Sequence, residues 1–337
     1  MLAEFGKGPF FPTPTEAWPW LLLFAHRYRT GVVAPHGQPV KSRTVEDALR
    51  LVAQAHCMAG YPDIRKPDGV TIDYRLQQLL RGYARKDPPP FRVKPIPVSV
   101  LHCASAICDS RNTDKSRCLR DVMWMAFFFL MRPGEYTKPS SQDAAPFRFC
   151  DVHLHIGDRR LNLYEAPASE LLCATLVTLT FTTQKNANRG EVVGHGPNDH
   201  LVANPVRAVA RRLAHLRQHG ADLTELLCAY WSGATFRYVT SADLTALLRQ
   251  AAAVDAAANV PPDEVSARSL RASGAMALLH QKVDGDVIRL LGRWKTDEMF
   301  RYLHLQSQPL MQAYSSTMLR GGDYSLLPND DPLVPLH

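Results

Sequence analysis

The sequence predicts a mainly α protein with a small antiparallel β-sheet, divided into a helical N-terminal domain and a larger α+β domain. Apolar residues recur at helical spacing over residues 15–86 and again from residue 98 onward. Between residues 147 and 194 the period changes to the alternation typical of strands. Five prolines in "DPPPFRVKPIP", residues 87–97, cannot continue a helix and predict a stiff, extended linker between the domains.

Two helices are predicted in the first domain, residues 1–86. In "TVEDALRLVAQAHCMAG", Thr44 is the predicted N-cap, acidic residues fill the first turn, and Gly60 ends the helix. "DYRLQQLLRGYARK" forms a second helix with a basic outer face. After the linker, "VSVLHCASAIC" and "KSRCLRDVMWMAFFFLM" are predicted helices, and the apolar run at 122–131 is too short to cross a bilayer, which favours a buried helix.

Three strands follow in the second domain, residues 98–320. They are "FRFCDVHLHI", "ATLVTLTFTT" and "GEVVG", with "QKNANRG" as a hairpin-type turn between the last two. Helices return from residue 204 onward in "NPVRAVARRLAHLRQHG", "SADLTALLRQAAAVDAAA", "SLRASGAMALLHQ", "GDVIRLLGRW" and "GRWKTDEMFRYLHLQ". Residues 321–337, "GGDYSLLPNDDPLVPLH", are predicted to be an irregular tail.

Charge is distributed unevenly along the chain. The 337 residues are 46% hydrophobic and carry a net charge of +7, as expected for a soluble globular protein with a basic balance. Residues 1–97 contain 14 Lys and Arg against 8 Asp and Glu, whereas residues 98–337 contain 25 against 24. The basic N-terminal third favours an anionic partner such as nucleic acid.

Several classes of protein are excluded by what the sequence lacks. The seven cysteines are odd in number and form no CxxC pair, which argues against a disulfide framework or zinc knuckle and favours a reducing compartment. The N-terminus has an apolar patch but no basic leader, so we expect neither secretion nor a membrane partner. Phosphate-binding glycine loops, HExxH and GxSxG are absent, and His153 and His155 share a strand face without a third ligand. The sequence therefore indicates no nucleotide, metal or other cofactor.

Isolated cations at unusual positions are the remaining candidates for chemistry. Arg132 ends an apolar helix in "FFFLMRPGE", Lys185 lies in the hairpin turn, and Arg268 and Arg271 lie one turn apart in "SARSLRASGA". Singly, each has an ordinary explanation: a cation satisfying helix-end carbonyls, a basic hairpin, and a solvated basic face. Small residues after Arg271, including Gly274, allow that turn to pack closely.

Tyr302 raises a similar question in "LLGRWKTDEMFRY". A tyrosine at helical spacing is usually a packing residue. Here, however, Tyr302 lies among the cations Arg293, Lys295 and Arg301, which would favour its phenolate.

Taken together, "RPGE", the hairpin lysine, "SLRASGA" and "LLGRW…Y" occur in an order that resembles the tyrosine recombinase family, the phage integrase-like enzymes. The segments "RVKPIP", "MRPGEYTK" and "GRWKTDEMFRYL" resemble those of recombinases from eukaryotic mobile elements of the DIRS and Crypton type. The resemblance implies that residues 1–86 are a DNA core-binding domain and residues 98–320 a catalytic domain. It further implies a DNA recombinase or integrase that clamps duplex DNA, self-associates on it as a dimer or tetramer, and works in the nucleus of a eukaryotic host or otherwise in the cytoplasm.

The family's chemistry assigns roles to individual residues. Tyr302 would attack a DNA phosphate to give a 3′-phosphotyrosyl enzyme, Lys185 would protonate the leaving 5′-oxygen, and Arg132 and Arg271 would hold the phosphate oxygens. Because no metal takes part, guanidinium groups must stabilise the charge of the transition state.

The sequence departs from the family at two of these positions. Arg268 stands where the family has His or Lys, and Arg293 stands nine residues before the tyrosine, where it has His or Trp, with Trp294 one place later. We expect Arg268 and either Arg293 or Trp294 to fill the remaining donor positions. Arginine cannot act as a neutral proton acceptor, so the base that accepts the Tyr302 proton stays open.

Three functions remain open on the sequence alone. They are an active recombinase, a DNA-binding protein on the same fold that does not cut, and a helical scaffold whose basic surface is incidental. A type IB topoisomerase would use a related mechanism. The short core-binding domain and the C-terminal tail favour a recombinase over a topoisomerase. The arrangement of Tyr302, Arg132, Arg271 and Lys185 around one anion-sized space would distinguish the first function from the second.

Overall fold

The structure, a computed structural model, describes residues 1–88, 94–138, 146–181 and 190–294. The chain divides into two units, Met1–Phe91 and Arg92–His337, and the division falls within the segment 87–97 that the sequence marks as a linker. Lys185, Tyr302 and the tail 321–337 lie outside the described residues.

The N-terminal unit is helical. Its helices are α1 (Pro14–Arg29), α2 (Ser42–Met58) and α3 (Tyr74–Lys86). They bury a shared core that includes Leu21, Leu49 and Leu76. The predicted N-cap Thr44 is wrong, because the N-cap of α2 is Lys41, three residues earlier. The helix begins at Ser42, whose N–H donates to the Asp87 carboxylate at 2.9 Å. A carboxylate from the far end of α3 thus caps α2, which sequence spacing does not reveal.

The second unit is also mainly helical and is built around one central helix. Its described residues form the helices α4 (Val98–Arg111), α5 (Asp114–Phe128), α6 (Pro133–Tyr136), α7 (Ala168–Leu172), α8 (Pro205–Gln218), α9 (Ser241–Val254), α10 (Ser269–His280) and α11 (Gly285–Gly292). As its apolar run predicts, α5 is buried along most of its length, with Trp124 only 1% exposed.

An antiparallel sheet also belongs to this unit. Strands β1 (Val152–Ile156), β2 (Arg159–Arg160), β3 (Leu176–Phe181) and β4 (Glu191–His195) lie in the order β2-β1-β3-β4. A separate hairpin pairs β5 (Ala229–Trp231) with β6 (Phe236–Tyr238). The predicted fold class, mainly α with a small antiparallel sheet, is confirmed. The predicted strand number of three is wrong, because β2, β5 and β6 have only two or three residues and are too short to show an alternation.

All seven cysteines are free. The exposed ones are Cys57, Cys150 and Cys173, Cys103 is half-buried, and the buried ones are Cys108, Cys118 and Cys228. Burial raises the pKa of both Cys108 and Cys118 to about 11, so these thiols are protonated at neutral pH. Across the described part of the chain, every helix is too short or too polar to span a bilayer.

Candidate active site

The C-terminal end of α5 turns sharply to present Arg132. Leu130 adopts a left-handed conformation with φ 48°, which is unusual for a residue with a branched side chain. Arg132 then becomes the N-cap of the short helix α6. Its side chain is 32% exposed, and its Nη1 donates to Glu135 Oε1 at 3.1 Å. Arg132 is therefore accessible from solvent and held by an acidic neighbour one turn away.

Helix α10 brings Arg271 close to this turn. A Cβ on Gly274 would lie 2.3 Å from the carbonyl oxygen of Phe127 and 2.4 Å from Leu130 Cδ2, so only glycine allows α10 to approach α5 so closely. The close packing predicted for the small residues after Arg271 is confirmed. Arg271 itself is 2% exposed, so the alternative of a solvated basic face is wrong for this residue. Arg268, at the N-cap of α10, is exposed.

The residues after α11 cover Arg271. Trp294 folds back over Gly292, where a Cβ would meet the indole ring at 1.6 Å. The Arg271 guanidinium lies 4.3 Å from the centroid of the Trp294 ring, and its Nη2 donates to the carbonyl oxygen of Gly292. A cation stacked on tryptophan is stabilised by the ring quadrupole, so the "GRW" order fixes the orientation of Arg271.

Arg293 points in the opposite direction, into the protein. Its side chain is 2% exposed, and its guanidinium lies 3.7 Å from the Phe181 ring centroid on β3. Its Nη1 donates to the Phe129 carbonyl at 3.1 Å and its Nη2 to the Leu130 carbonyl at 3.2 Å. The sequence assigns the carbonyls at the end of α5 to Arg132 as one alternative, but in the structure Arg293 satisfies them. Burial lowers the pKa of Arg293.

Glu135 connects the two ends of this site. Its Oε2 accepts the Arg132 backbone N–H at 2.8 Å and the Arg293 Nη2 at 3.1 Å. Glu135 thus links Arg132 to Arg293, and the backbone of residues 292–294 links Arg293 to the pair formed by Arg271 and Trp294. These five residues are called the cluster below. The sequence pattern identifies the "RPGE" motif but predicts no role for its glutamate, Glu135. The signal available was its position three residues after the N-cap of α6, where a carboxylate caps a helix.

The cluster carries excess positive charge. Three guanidinium groups belong to it, with the Glu135 carboxylate in contact and Glu191 favouring the charged form of Arg293. Arg268 adds a fourth cation near α6. The residue before it, Ala267, accepts a hydrogen bond from the Tyr136 hydroxyl of α6 through its carbonyl oxygen, at 2.7 Å. Such an excess of positive charge attracts anions. Whether Tyr302 and Lys185 surround one anion-sized space together with Arg132 and Arg271 stays a prediction, because Tyr302 and Lys185 lie outside the described residues.

Two groups of histidines could be considered as metal ligands. His153 is half-buried and its Nδ1 pairs with Arg160 Nη2 at 2.6 Å, in keeping with a polar strand face. Asp114, His215 and His219 bring ligand atoms within 4.8 Å of one another.

The second group has hydrogen bonds that oppose metal binding. The backbone N–H of Trp231 donates to Nε2 of His215 at 3.1 Å, so that nitrogen carries the lone pair and the ring proton sits on Nδ1, facing Asp114. The carboxylate of Asp114 also pairs with Arg117 at 2.5 Å. These residues form a hydrogen-bonded ion-pair cluster at the start of α5.

Comparison with known proteins gives matches only among solved structures. Neither a protein-family model nor a curated protein matches the chain. The integrase of the Tn1549 transposon, in complex with circular intermediate DNA, is 13% identical with a TM-score of 0.48, over 91% of this chain and 86% of that one. XerA recombinase is 15% identical with a TM-score of 0.40, over 94% and 86%. XerH site-specific recombinase bound to difH substrate is 13% identical with a TM-score of 0.42, over 89% and 78%. Function in this chain therefore has to follow from its own side chains.

Proposed function

We propose that the protein is a tyrosine recombinase that cuts and rejoins duplex DNA without a metal, through a 3′-phosphotyrosyl intermediate on Tyr302. The observation that carries the proposal is the cluster in which Arg132 and Arg271, distant in sequence, are joined through Glu135, Arg293 and Trp294. The same residues supply the "RPGE", "SLRASGA" and "LLGRW" motifs, so sequence order and spatial proximity agree.

The chemistry needs fixed positive charge around one phosphodiester. In the transition state the non-bridging oxygens gain negative charge, and guanidinium groups held in place stabilise it without reorganisation. Arg132 is restrained by Glu135 and Arg271 by Trp294 and the Gly292 carbonyl, so both side chains are oriented before any substrate arrives. This restraint is what distinguishes the cluster from mobile surface arginines.

The nucleophile and the acid are assigned to residues outside the described part of the chain. Tyr302 is the nucleophile, and Lys185 protonates the 5′-oxygen that leaves. Arg268 and Trp294 are the remaining donor candidates near the phosphate. The partner is duplex DNA, on which copies of the protein assemble, and the excess cations of residues 1–97 would neutralise phosphates.

Covalent trapping tests the proposal directly. Duplexes selected by the protein from a random library are rebuilt as suicide substrates, nicked so that the cleaved fragment diffuses away, and the products are separated by denaturing electrophoresis. We expect a covalent protein–DNA adduct that persists with chelator and disappears in Tyr302→Phe, with DNA affinity retained. Tyr314 is the next candidate nucleophile in the sequence, so Tyr314→Phe is the matched control and should behave as wild type. An adduct that survives Tyr302→Phe would place the nucleophile elsewhere.

The roles of the cations can be separated in the same assay. Arg132→Ala or Arg271→Ala should slow adduct formation by about 100- to 1,000-fold, as expected when one fixed donor to a developing charge is lost. Lys185→Ala should be inactive on ordinary DNA but active on DNA with a bridging 5′-sulfur, because a thiolate leaves without being protonated. Equal loss on both substrates would exclude Lys185 as the acid.

A DNA-binding protein that does not cut is the second candidate. The departures Arg268 and Arg293 favour it, because neither arginine can take the proton from Tyr302. Sequence-selective binding without any adduct, on every nicked duplex, would establish this alternative.

A further inference from the structure

Arg293 is in an unusual place for a group expected to contact a phosphate. Its backbone is left-handed with φ 56°, at the C-cap of α11, and its side chain is directed under the end of α5. The two carbonyls it binds there, those of Phe129 and Leu130, lie where the α5 ladder of hydrogen bonds has run out. Arg293 therefore caps α5 from another element.

The donors of Arg293 are almost fully used inside the protein. A guanidinium has five N–H groups. Its Nη1 reaches the carbonyls of Phe129 and Leu291, and its Nη2 reaches the Leu130 carbonyl and Glu135 Oε2, at 3.0–3.2 Å. Only Nε lacks a partner among the described residues, and it is buried. The paired donors needed to grip a phosphate are therefore committed elsewhere.

Glu135 transmits this anchoring to Arg132. Its side chain holds Arg132 at two points, the backbone N–H at 2.8 Å and the guanidinium at 3.1 Å. The same Oε2 that accepts the backbone N–H also accepts from Arg293. If Arg293 were removed, the half-buried carboxylate would lose a charged partner and the turn would lose the cap on Leu130, which is itself left-handed.

We propose that Arg293 is a positioning residue: it secures the end of α5 and the Glu135 carboxylate, and through them fixes Arg132 for the phosphate. The inference rests on the proposed recombinase function. It assigns Arg293 and Glu135 to the support of the site, and it leaves Arg268 and Trp294 as the candidates for further phosphate contacts.

A mutant cycle tests the proposal in the full-length protein. Glu135→Gln keeps the shape of the side chain, and Arg293→Lys keeps the charge but loses the fork. With DNA at saturation, each should slow adduct formation at least tenfold, with little change in the Kd for DNA. In an Arg132→Ala background, the same changes should cost less than twofold, because the residue they position is gone. Losses that multiply in full in that background would overturn the proposal.

Two further measurements complete the design. Glu170→Gln removes a surface ion pair with Arg159 and is the matched control, for which wild-type rates are expected. Arg132 order is followed by NMR of its Nε–H group in the DNA-free protein, assigned with Arg132→Lys, and should fall in Glu135→Gln and Arg293→Lys. Unchanged Arg132 order would overturn the positioning role whether or not the protein cuts DNA. Absence of an adduct with wild type would instead reject the proposed function.

Discussion

The contact between α5 and α10 at Gly274 gives the sharpest test of the packing. In Gly274→Ala, the new methyl group would lie 2.3 Å from a backbone oxygen, that of Phe127, and 2.4 Å from Leu130 Cδ2. Normal carbon–oxygen contacts are about 3.3 Å or longer, so the helices must separate by about 1 Å. The oxygen belongs to the main chain of a buried helix, so no flexible side chain can relieve the clash.

The magnitude follows from two opposing terms. Overpacking a well-packed interior costs up to about 3 kcal/mol when the backbone has to move. Alanine favours the helix over glycine by about 1 kcal/mol. We therefore expect Gly274→Ala to lower the free energy of unfolding of its unit by about 2 kcal/mol, the difference of these terms.

Gly82 provides the matched control, since it also lies inside a helix, α3. A Cβ added there would meet nothing within 4 Å in the described part of the chain. Gly82→Ala should therefore raise stability by up to about 1 kcal/mol. Urea denaturation followed by circular dichroism measures both variants. A stabilised Gly274→Ala would refute the close approach of α10 to α5, and with it the stated position of Arg271.

Three further outcomes are expected. Binding to duplex DNA should weaken steeply between about 50 and 200 mM salt, and residues 98–337 alone should bind less tightly; a flat salt response would contradict the role given to the cations of residues 1–97. We predict that the apolar tail, residues 321–337, docks on a neighbouring protomer during assembly on DNA, so its deletion should spare DNA binding and impair assembly, seen by analytical ultracentrifugation; unchanged assembly would rule out that docking. Burial, with Arg212 nearby, lowers the pKa of His215 to about 4, so the native ring stays neutral while the unfolded chain takes up a proton below its ordinary pKa. Stability is therefore lost as pH falls from 7 to 5, by roughly 2 kcal/mol more than in His215→Gln, and parallel curves for the two proteins would refute the shift.

Local patterns predicted much of the fold. The helix α3 and the buried helix α5 lie where the apolar periodicity places them, because that signal acts within a few residues. The small residues around Gly274 predicted a close helix contact, which the structure confirms. The two-residue strand β2 has no alternation to detect, and the Asp87 cap on α2 comes from 45 residues away.

The sequence predicted which residues belong to the site better than how those residues are arranged. Motif order singled out Arg132, Arg271, Arg293 and Trp294, all of which belong to the cluster. Which arginine contacts the phosphate and which supports the site depends on which guanidinium group is buried. Arg293 turns inward because its left-handed backbone directs it to the end of α5, and no spacing rule contains that information.

Each of the two units has exposed cysteine thiols, so a dye can be attached to each unit. Cys57 is exposed in the N-terminal unit, while Cys150 and Cys173 are exposed in the other. The enclosed thiols of Cys108 and Cys118, with their pKa of about 11, would be slow to alkylate at neutral pH. After Cys103→Ser and Cys150→Ser, a maleimide dye would attach preferentially at one site in each unit, Cys57 and Cys173. Energy transfer between the two dyes would then report whether the units draw together when duplex DNA is added.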